Sequence, residues 1–280
     1  MQVKADATDF LGRFREIVSD PLNLLIKRHP LAGSVNDNLV CLHNGNMVPL
    51  SGPYAYYGEF SNILVINRGV HEPLEEYVFQ ELLNVLPKEP SMLELRAYWG
   101  HYSMWLKKIH PKSAVFLVEP DETNMQAGLH NFRQHGYKGE FIQAFVGKGQ
   151  FEVDTFMKTK ALWKVNVLHA DIQGYEVEML EGCSNAFHEK SVDHILLSTH
   201  SQELHHEVLK ILGSFKYRIE VSSDVDSETT SFDGFIFATS PLIGPVFSNF
   251  RSFGRQQITE SRPIDLVNGL LQILSTKNLR

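Results

Sequence analysis

At 280 residues, with 43% of them hydrophobic, the chain is long enough to bury a full core and has the composition of an ordinary globular protein. A net charge of −7, with acids and bases interspersed along the chain, argues against a phosphate backbone as the main partner, so no nucleic-acid role is expected. No apolar run approaches membrane-spanning length, charged residues interrupt the first 18 positions where a signal peptide would sit, and only Cys41 and Cys183 are present; a reducing cytoplasm is expected.

Residues 1–88 read as a cap of helices and short strands. Phe10, Leu11, Phe14, Ile17 and Val18, followed by Leu22, Leu24, Leu25 and Ile26, have the spacing of one or two amphipathic helices between about Asp6 and Lys27, split at Asp20-Pro21. Leu39–Pro49 alternates around Asn44-Gly45, a hairpin signal, and Ser51–Gly58 is a loop rich in glycine and tyrosine. Ser61–Arg68 reads as a further strand. A helix then opens at Val70-His71-Glu72-Pro73 and runs through Leu86, with Pro73 in its first turn and Glu72, Glu75 and Glu76 near its positive end.

Residues 89–240 are more regular. Strands are predicted at Met92–Leu95, Ala114–Val118, Gly139–Phe145, Val165–Ala170, His194–Ser198, Tyr217–Val221 and Gly234–Thr239, with helices at Tyr102–His110, Glu122–His135, Tyr175–Phe187 and Gln202–Phe215. Alternation of strand and helix predicts an α/β fold, a mainly parallel sheet covered on both faces. Only the polar turn Ser222–Thr230 separates the last two strands, so the final one is expected to enter antiparallel. Residues 241–280 form an extension with one helix near Ile264–Ser275. Periodicity does not assign that helix to a core or an interface, which leaves a homo-oligomer open.

Ligands of open α/β sheets bind beyond the carboxyl ends of the strands, and polar groups collect there. The first predicted strand runs into Arg96, Ala97, Tyr98 and Gly100, and the second stops at Glu119-Pro120-Asp121. A strand, a glycine turn, a helix and a second strand ending in an acid is the order of a nucleotide-binding βαβ unit, which makes Glu119 a candidate for ribose hydroxyls. The fourth strand breaks into His169-Ala-Asp171-Ile-Gln173-Gly174-Tyr175-Glu176. Asp171, Gln173 and Glu176 can orient a ligand or hold a hard cation, while helix capping accounts for Glu176 equally well. Thr199-His200-Ser201 comes after the fifth strand. His200 is a candidate general base, or with Asp171 a candidate ligand for Mg²⁺ or Mn²⁺. His71, and Tyr57 with its neighbours Tyr54 and Tyr56, can line the acceptor side from the cap.

Several separate stretches together resemble the FkbM-type S-adenosylmethionine-dependent methyltransferases: Met92-Leu-Glu-Leu-x-Ala-Tyr-Trp-Gly-x-Tyr-Ser103, Val118-Glu-Pro-Asp121, Asn131-Phe132, His169-Ala-Asp-Ile-Gln-Gly-x-Glu-x-Glu-Met-Leu-x-Gly182 and Ser198-Thr-His-Ser201. The resemblance covers roughly Ser91–Thr239. It implies a Rossmann-like class I methyltransferase fold, seven strands with the last antiparallel, and O-methylation of a sugar, polysaccharide or secondary-metabolite hydroxyl. By motif, Glu94, Arg96, Ala97, Tyr98, Gly100, Tyr102 and Ser103 would surround the methionine part of the cofactor, Glu119 its ribose, and Gln143, Ala144 and Phe145 its adenine, with Pro120 and Asn124 also binding the cofactor. Asp171 and Gln173 would face the methyl-transfer centre, and His71, Tyr57, Gln173, Glu176 and Ser201 the small-molecule or glycan acceptor.

One residue departs from that pattern: Arg96 stands where the family has a glycine directly after Leu95. A long cation there either pairs with the cofactor carboxylate or fills its space, so a catalytically impaired binding protein on the same fold is the alternative. An NAD-linked oxidoreductase ranks below both, because the turn has one glycine where the dinucleotide fingerprint has three.

Overall fold

A computed structural model describes residues 10–56 and 58–277. The chain enters on α1 (Phe10–Ser19) and a 3₁₀ turn over Pro21–Leu24. The turn is capped by Asp20, whose carboxylate accepts from Leu22 N at 2.8 Å and from the Thr230 hydroxyl at 2.5 Å. Asp20 is buried, and burial pushes its pKa up to about 6. The expected hairpin forms part of a small antiparallel sheet of β1 (Val35–Asn36), β2 (Leu39–Cys41) and β3 (Met47–Pro49), turning at Gly45 with φ 82°.

Ser61–Arg68 is not a strand. It holds α2 (Asn62–Ile66), in which Ile63 and Leu64 are buried, as is Asn67 at its C-cap, while Asn62 and Ile66 face out, a helical spacing that β-branched composition hides. The helix stops at Arg68 and Gly69, with φ 52° and 83°, and Gly69 N donates to Leu64 O at 2.7 Å. A Cβ on Gly69 would lie 2.1 Å from His43 N, so only glycine lets this loop lie against the hairpin. The cap ends with α3 (Pro73–Leu83).

The main sheet comprises β4 (Ser91–Leu95), β5 (Ala114–Val118), β6 (Glu140–Ile142), β7 (Val165–Ala170), β8 (Val192–Thr199), β9 (Arg218–Ser223) and β10 (Gly234–Thr239). Their order is β6-β5-β4-β7-β8-β10-β9. The last strand is antiparallel to both neighbours, with Gly234 opposite Thr199 and Thr239 opposite His194. Strand order reverses between β4 and β7, which opens a crevice at their carboxyl ends.

Helices cover both faces. Met92, Val167, Leu196 and Phe237 turn to one face, where α4 (His101–Ile109), α5 (Glu122–His135) and the cap supply Tyr102, Trp105, Phe132, Phe79 and Leu82. Leu93, Leu168, Ile195 and Ile236, one residue along each strand, meet the opposite layer of α6 (Val153–Thr159), α7 (Glu176–Glu181), α8 (Ser184–His188) and α9 (Gln202–Ser214). The helix expected over Tyr175–Phe187 is broken at Gly182-Cys183 and restarts where the Asp154 carboxylate accepts from Asn185 N and Ala186 N at 2.7 and 2.8 Å. Beyond the sheet, α10 (Arg255–Glu260) precedes α11 (Pro263–Lys277), and Ile273 joins Leu22, Tyr77 and Phe253 in a third apolar cluster. Among the described residues no helix is long and apolar enough to cross a membrane. Cys41 and Cys183 are both free and buried.

Candidate functional site

The loop after β4 is strained. Arg96, Tyr98 and Gly100 have φ of 58°, 46° and 75°, a region that costs a non-glycine residue about 1–2 kcal/mol. Arg96 therefore holds the left-handed geometry that glycine would take freely. Two buried carboxylates fix the loop. Glu119, 1% exposed, accepts from Tyr98 N at 2.9 Å and Asp121 N at 3.0 Å, and Glu94 accepts from Ser103 N at 3.0 Å at the start of α4. Burial raises the pKa of both.

Above this loop lies a cleft of about 470 Å³. Of the residues singled out by sequence, Glu94, Arg96, Ala97, Tyr98 and Tyr102 line it from the β4 side, Asp171, Gln173 and His200 from the ends of β7 and β8, and His71 from the cap. Gly100, Ser103, Glu119, Pro120, Asn124, Gln143, Ala144, Phe145, Glu176 and Ser201 are not among its lining residues. Several of these have local work instead. Asn124 N is capped by Asp121 at 2.9 Å, Pro120 O accepts from Gln143 at 3.5 Å, and the Ser201 hydroxyl accepts from Leu204 N at 3.1 Å at the start of α9. Phe145 is 62% exposed beyond β6. Tyr57 lies outside the described residues.

At the rim, His200 is the centre of an ion-pair network. Its Nδ1 is 2.5 Å from Glu176 Oε1, and its Nε2 is 3.0 Å from Asp171 Oδ1 and 3.6 Å from Asp233 Oδ1. Burial alone would lower the pKa of His200, but the Asp171 and Glu176 contacts and the Asp233 charge raise it to about 10. His200 is therefore an imidazolium at neutral pH. The same contact holds Asp171 below the usual carboxylate range against its own desolvation. Asp171 thus remains ionised, with its side chain 32% exposed to the cleft. Glu176 is spent on His200 and on Gly174 N, 3.1 Å away.

Deeper in the cleft, His169 Nε2 meets Glu75 Oε1 at 2.5 Å, and Glu75 Oε2 accepts from the Ser198 hydroxyl at 3.2 Å. Although burial would lower the pKa of His169, the Glu75 hydrogen bond and charge raise it to about 9. The Tyr102 ring lies 4.3 Å from that of His169, tilted by 35°, and its hydroxyl donates to Glu72 at 2.9 Å. Glu72, Glu75, His101 and Asp233 belong to this cleft, and sequence reasoning alone does not assign them to it. The spacing of Glu72, Glu75 and Glu76, one helix face of acids, is the available signal, and dipole compensation accounts for it without a site.

A family model described as the methyltransferase FkbM domain matches residues 43–219. Among solved structures the chain is similar to the precorrin-6y C5,15-methyltransferase of Geobacter metallireducens GS-15, at 13% identity and TM-score 0.45 over 60% of this chain and 88% of that one. It is similar also to M. capricolum TrmK in complex with S-adenosyl-homocysteine, at 11% identity and TM-score 0.42 over 71% of this chain and 83% of that one. No curated protein sequence matches the chain.

Proposed function

The chain belongs to the FkbM methyltransferase family, and from that premise we propose that it moves a methyl group from S-adenosylmethionine to a hydroxyl of a sugar or other small-molecule acceptor, in the cleft above β4 and β7. The groups present fit such a cofactor. The Arg96 guanidinium makes no hydrogen bond or ion pair to a described residue, yet its charge helps to lower the pKa of Asp171 and offsets part of the rise at Glu119, so it stands ready for a carboxylate. The carboxyl groups of Glu72, Glu75, Glu94, Asp171 and Asp233 outnumber the cations Arg96, His169 and His200 in the cleft lining, a balance that suits a sulfonium. Exposed Phe145 and Gln143 offer a flat face and an amide for an adenine.

When bound, the sulfonium supplies both an electrophilic methyl and a good leaving group. The chain adds position and proton removal. Asp171 is our base, and the observation that carries this reading is its ionised carboxylate, open to the cleft and held by the His200 imidazolium at 3.0 Å. A carboxylate of lowered pKa is weak toward a free hydroxyl. It suffices because the acceptor oxygen grows strongly acidic as the new O–CH₃ bond forms. His200, already protonated, orients Asp171 and stabilises its charge; Gln173 and His71 contact the acceptor. A Mg²⁺ or Mn²⁺ ion held by Asp171, His200 and Asp233 would first require His200 to lose its proton.

The test is to incubate the protein with S-adenosylmethionine and a panel of hydroxyl-bearing glycans and small molecules, reading S-adenosylhomocysteine release by mass spectrometry. Asp171→Asn is expected to lower kcat about 10²–10⁴-fold. Unchanged turnover would remove Asp171 as base, and methylation at nitrogen or carbon would contradict a hydroxyl acceptor.

A further inference from the structure

A second cluster lies between the cap and α4. Glu76, fully buried on α3, points its Oε2 to His43 Nε2 at 3.0 Å and its Oε1 to His71 Nδ1 at 2.6 Å and His101 Nε2 at 3.7 Å. His43 comes from the hairpin turn after β2, and His101 is the first residue of α4. One ligand atom from each of His43, Glu76 and His101 can be chosen so that all lie within 4.8 Å of one another.

Both ring nitrogens of His101, which is 2% exposed, and Nδ1 of His43 are buried without a hydrogen-bond partner among the described residues. Leaving a buried polar atom unpaired costs about 1–3 kcal/mol, and buried imidazoles are normally satisfied. An unpaired, buried imidazole beside a buried carboxylate calls for a partner that accepts its lone pair.

We propose that His43, Glu76 and His101 bind a divalent transition metal, Zn²⁺ before others, joining the hairpin, α3 and α4 through one ion. Two imidazoles and a carboxylate are ligands of the borderline kind that Zn²⁺ takes. Around a tetrahedral ion with bonds of about 2.0–2.1 Å, neighbouring ligand atoms stand about 3.3 Å apart; His43 Nε2 is 3.0 Å from one Glu76 oxygen and His101 Nε2 is 3.7 Å from the other, so a small movement of these side chains closes them on one ion. His71 orients the Glu76 carboxylate from outside the ligand set. His71 and His101 also line the cleft, which gives the ion its entry path. This site is separate from Asp171, His200 and Asp233.

The experiment uses the full chain, stripped with a chelator and titrated with Zn²⁺ by calorimetry and with Co²⁺ by visible absorption. One equivalent is expected to bind, with the intense d–d bands of four-coordinate Co²⁺. Affinity should fall at least tenfold in His43→Ala and in His101→Ala, each checked for fold by circular dichroism, and hold in Asp233→Asn. No binding by folded wild-type protein overturns the proposal. So does binding that survives in both histidine variants or disappears in Asp233→Asn, since the ion would then sit elsewhere. Zinc X-ray absorption on the wild type keeps the question open to refutation if a variant fails to fold: two imidazoles in the first coordination sphere are expected, and an all-oxygen sphere contradicts the site.

Discussion

Around His200 three carboxylates, Asp171, Glu176 and Asp233, surround one imidazole, whereas around Glu76 three imidazoles, His43, His71 and His101, surround one carboxylate. The residue types are the same and the ratio is inverted. In the acid-rich set the imidazole keeps its proton, with a pKa of about 10. In the imidazole-rich set the charge settles on Glu76, whose pKa falls well below the ordinary value through His43 and His71 despite burial, while burial and the neighbouring imidazoles drive His101 down. The first set is already neutralised by an internal cation and leaves Asp171 free to face a substrate. The second gathers three imidazoles around a single buried carboxylate. Stoichiometry, more than residue identity, thus separates a proton-holding rim from a candidate metal centre.

The comparison breaks most visibly at Glu76. Glu76→Ala in metal-free protein leaves the buried imidazoles without their counter-charge and should cost about 3–5 kcal/mol in urea denaturation; a loss under about 1 kcal/mol would mean that no charge resides there. At His200 the effect is smaller and depends on pH. His200→Gln should destabilise by about 1.5–3 kcal/mol at pH 7, the range for hydrogen bonds to charged groups. Because the folded pKa of about 10 lies above the ordinary 6.5, this stabilisation is complete below pH 6.5 and is lost as pH rises through 10. Wild type and variant should therefore converge in alkaline solution, and a constant difference across pH 6–10 would show that His200 does not titrate as described. Arg96→Gly has the smallest expected effect on stability, within about 1 kcal/mol, since relief of a left-handed φ is offset by the freedom glycine adds to the unfolded chain.

Sheet and crevice were legible because each strand carries its own signal. Ala114–Val118, Val165–Ala170, Gly234–Thr239 and the helix Glu122–His135 occupy the expected residues, and Asp171 and His200 stand directly beyond the carboxyl ends of β7 and β8, where ligands of such sheets bind. Other elements were hidden for definite reasons. In Asn62–Ile66 β-branched residues mask a helical burial pattern, and in Val153–Thr159 a helix of two turns shows only Val153, Phe156 and Met157 as its buried positions. Glu75, Glu76 and His43 enter the sites from the cap across more than 90, 20 and 50 residues of chain, from His169, His101 and His101 respectively, and no local pattern encodes such pairings. Asp233 likewise comes at the end of a polar turn and meets His200 only because β10 inserts beside β8.

The most direct measurement is calorimetric titration of the wild-type protein and of Arg96→Gly with S-adenosylhomocysteine. Micromolar binding by wild type is expected, retained by the variant with at most a modest change, because Arg96 already holds the backbone where glycine would. Absence of binding by folded wild-type protein, with recovery in Arg96→Gly, would contradict a working cofactor cleft and make Arg96 the residue that closes it.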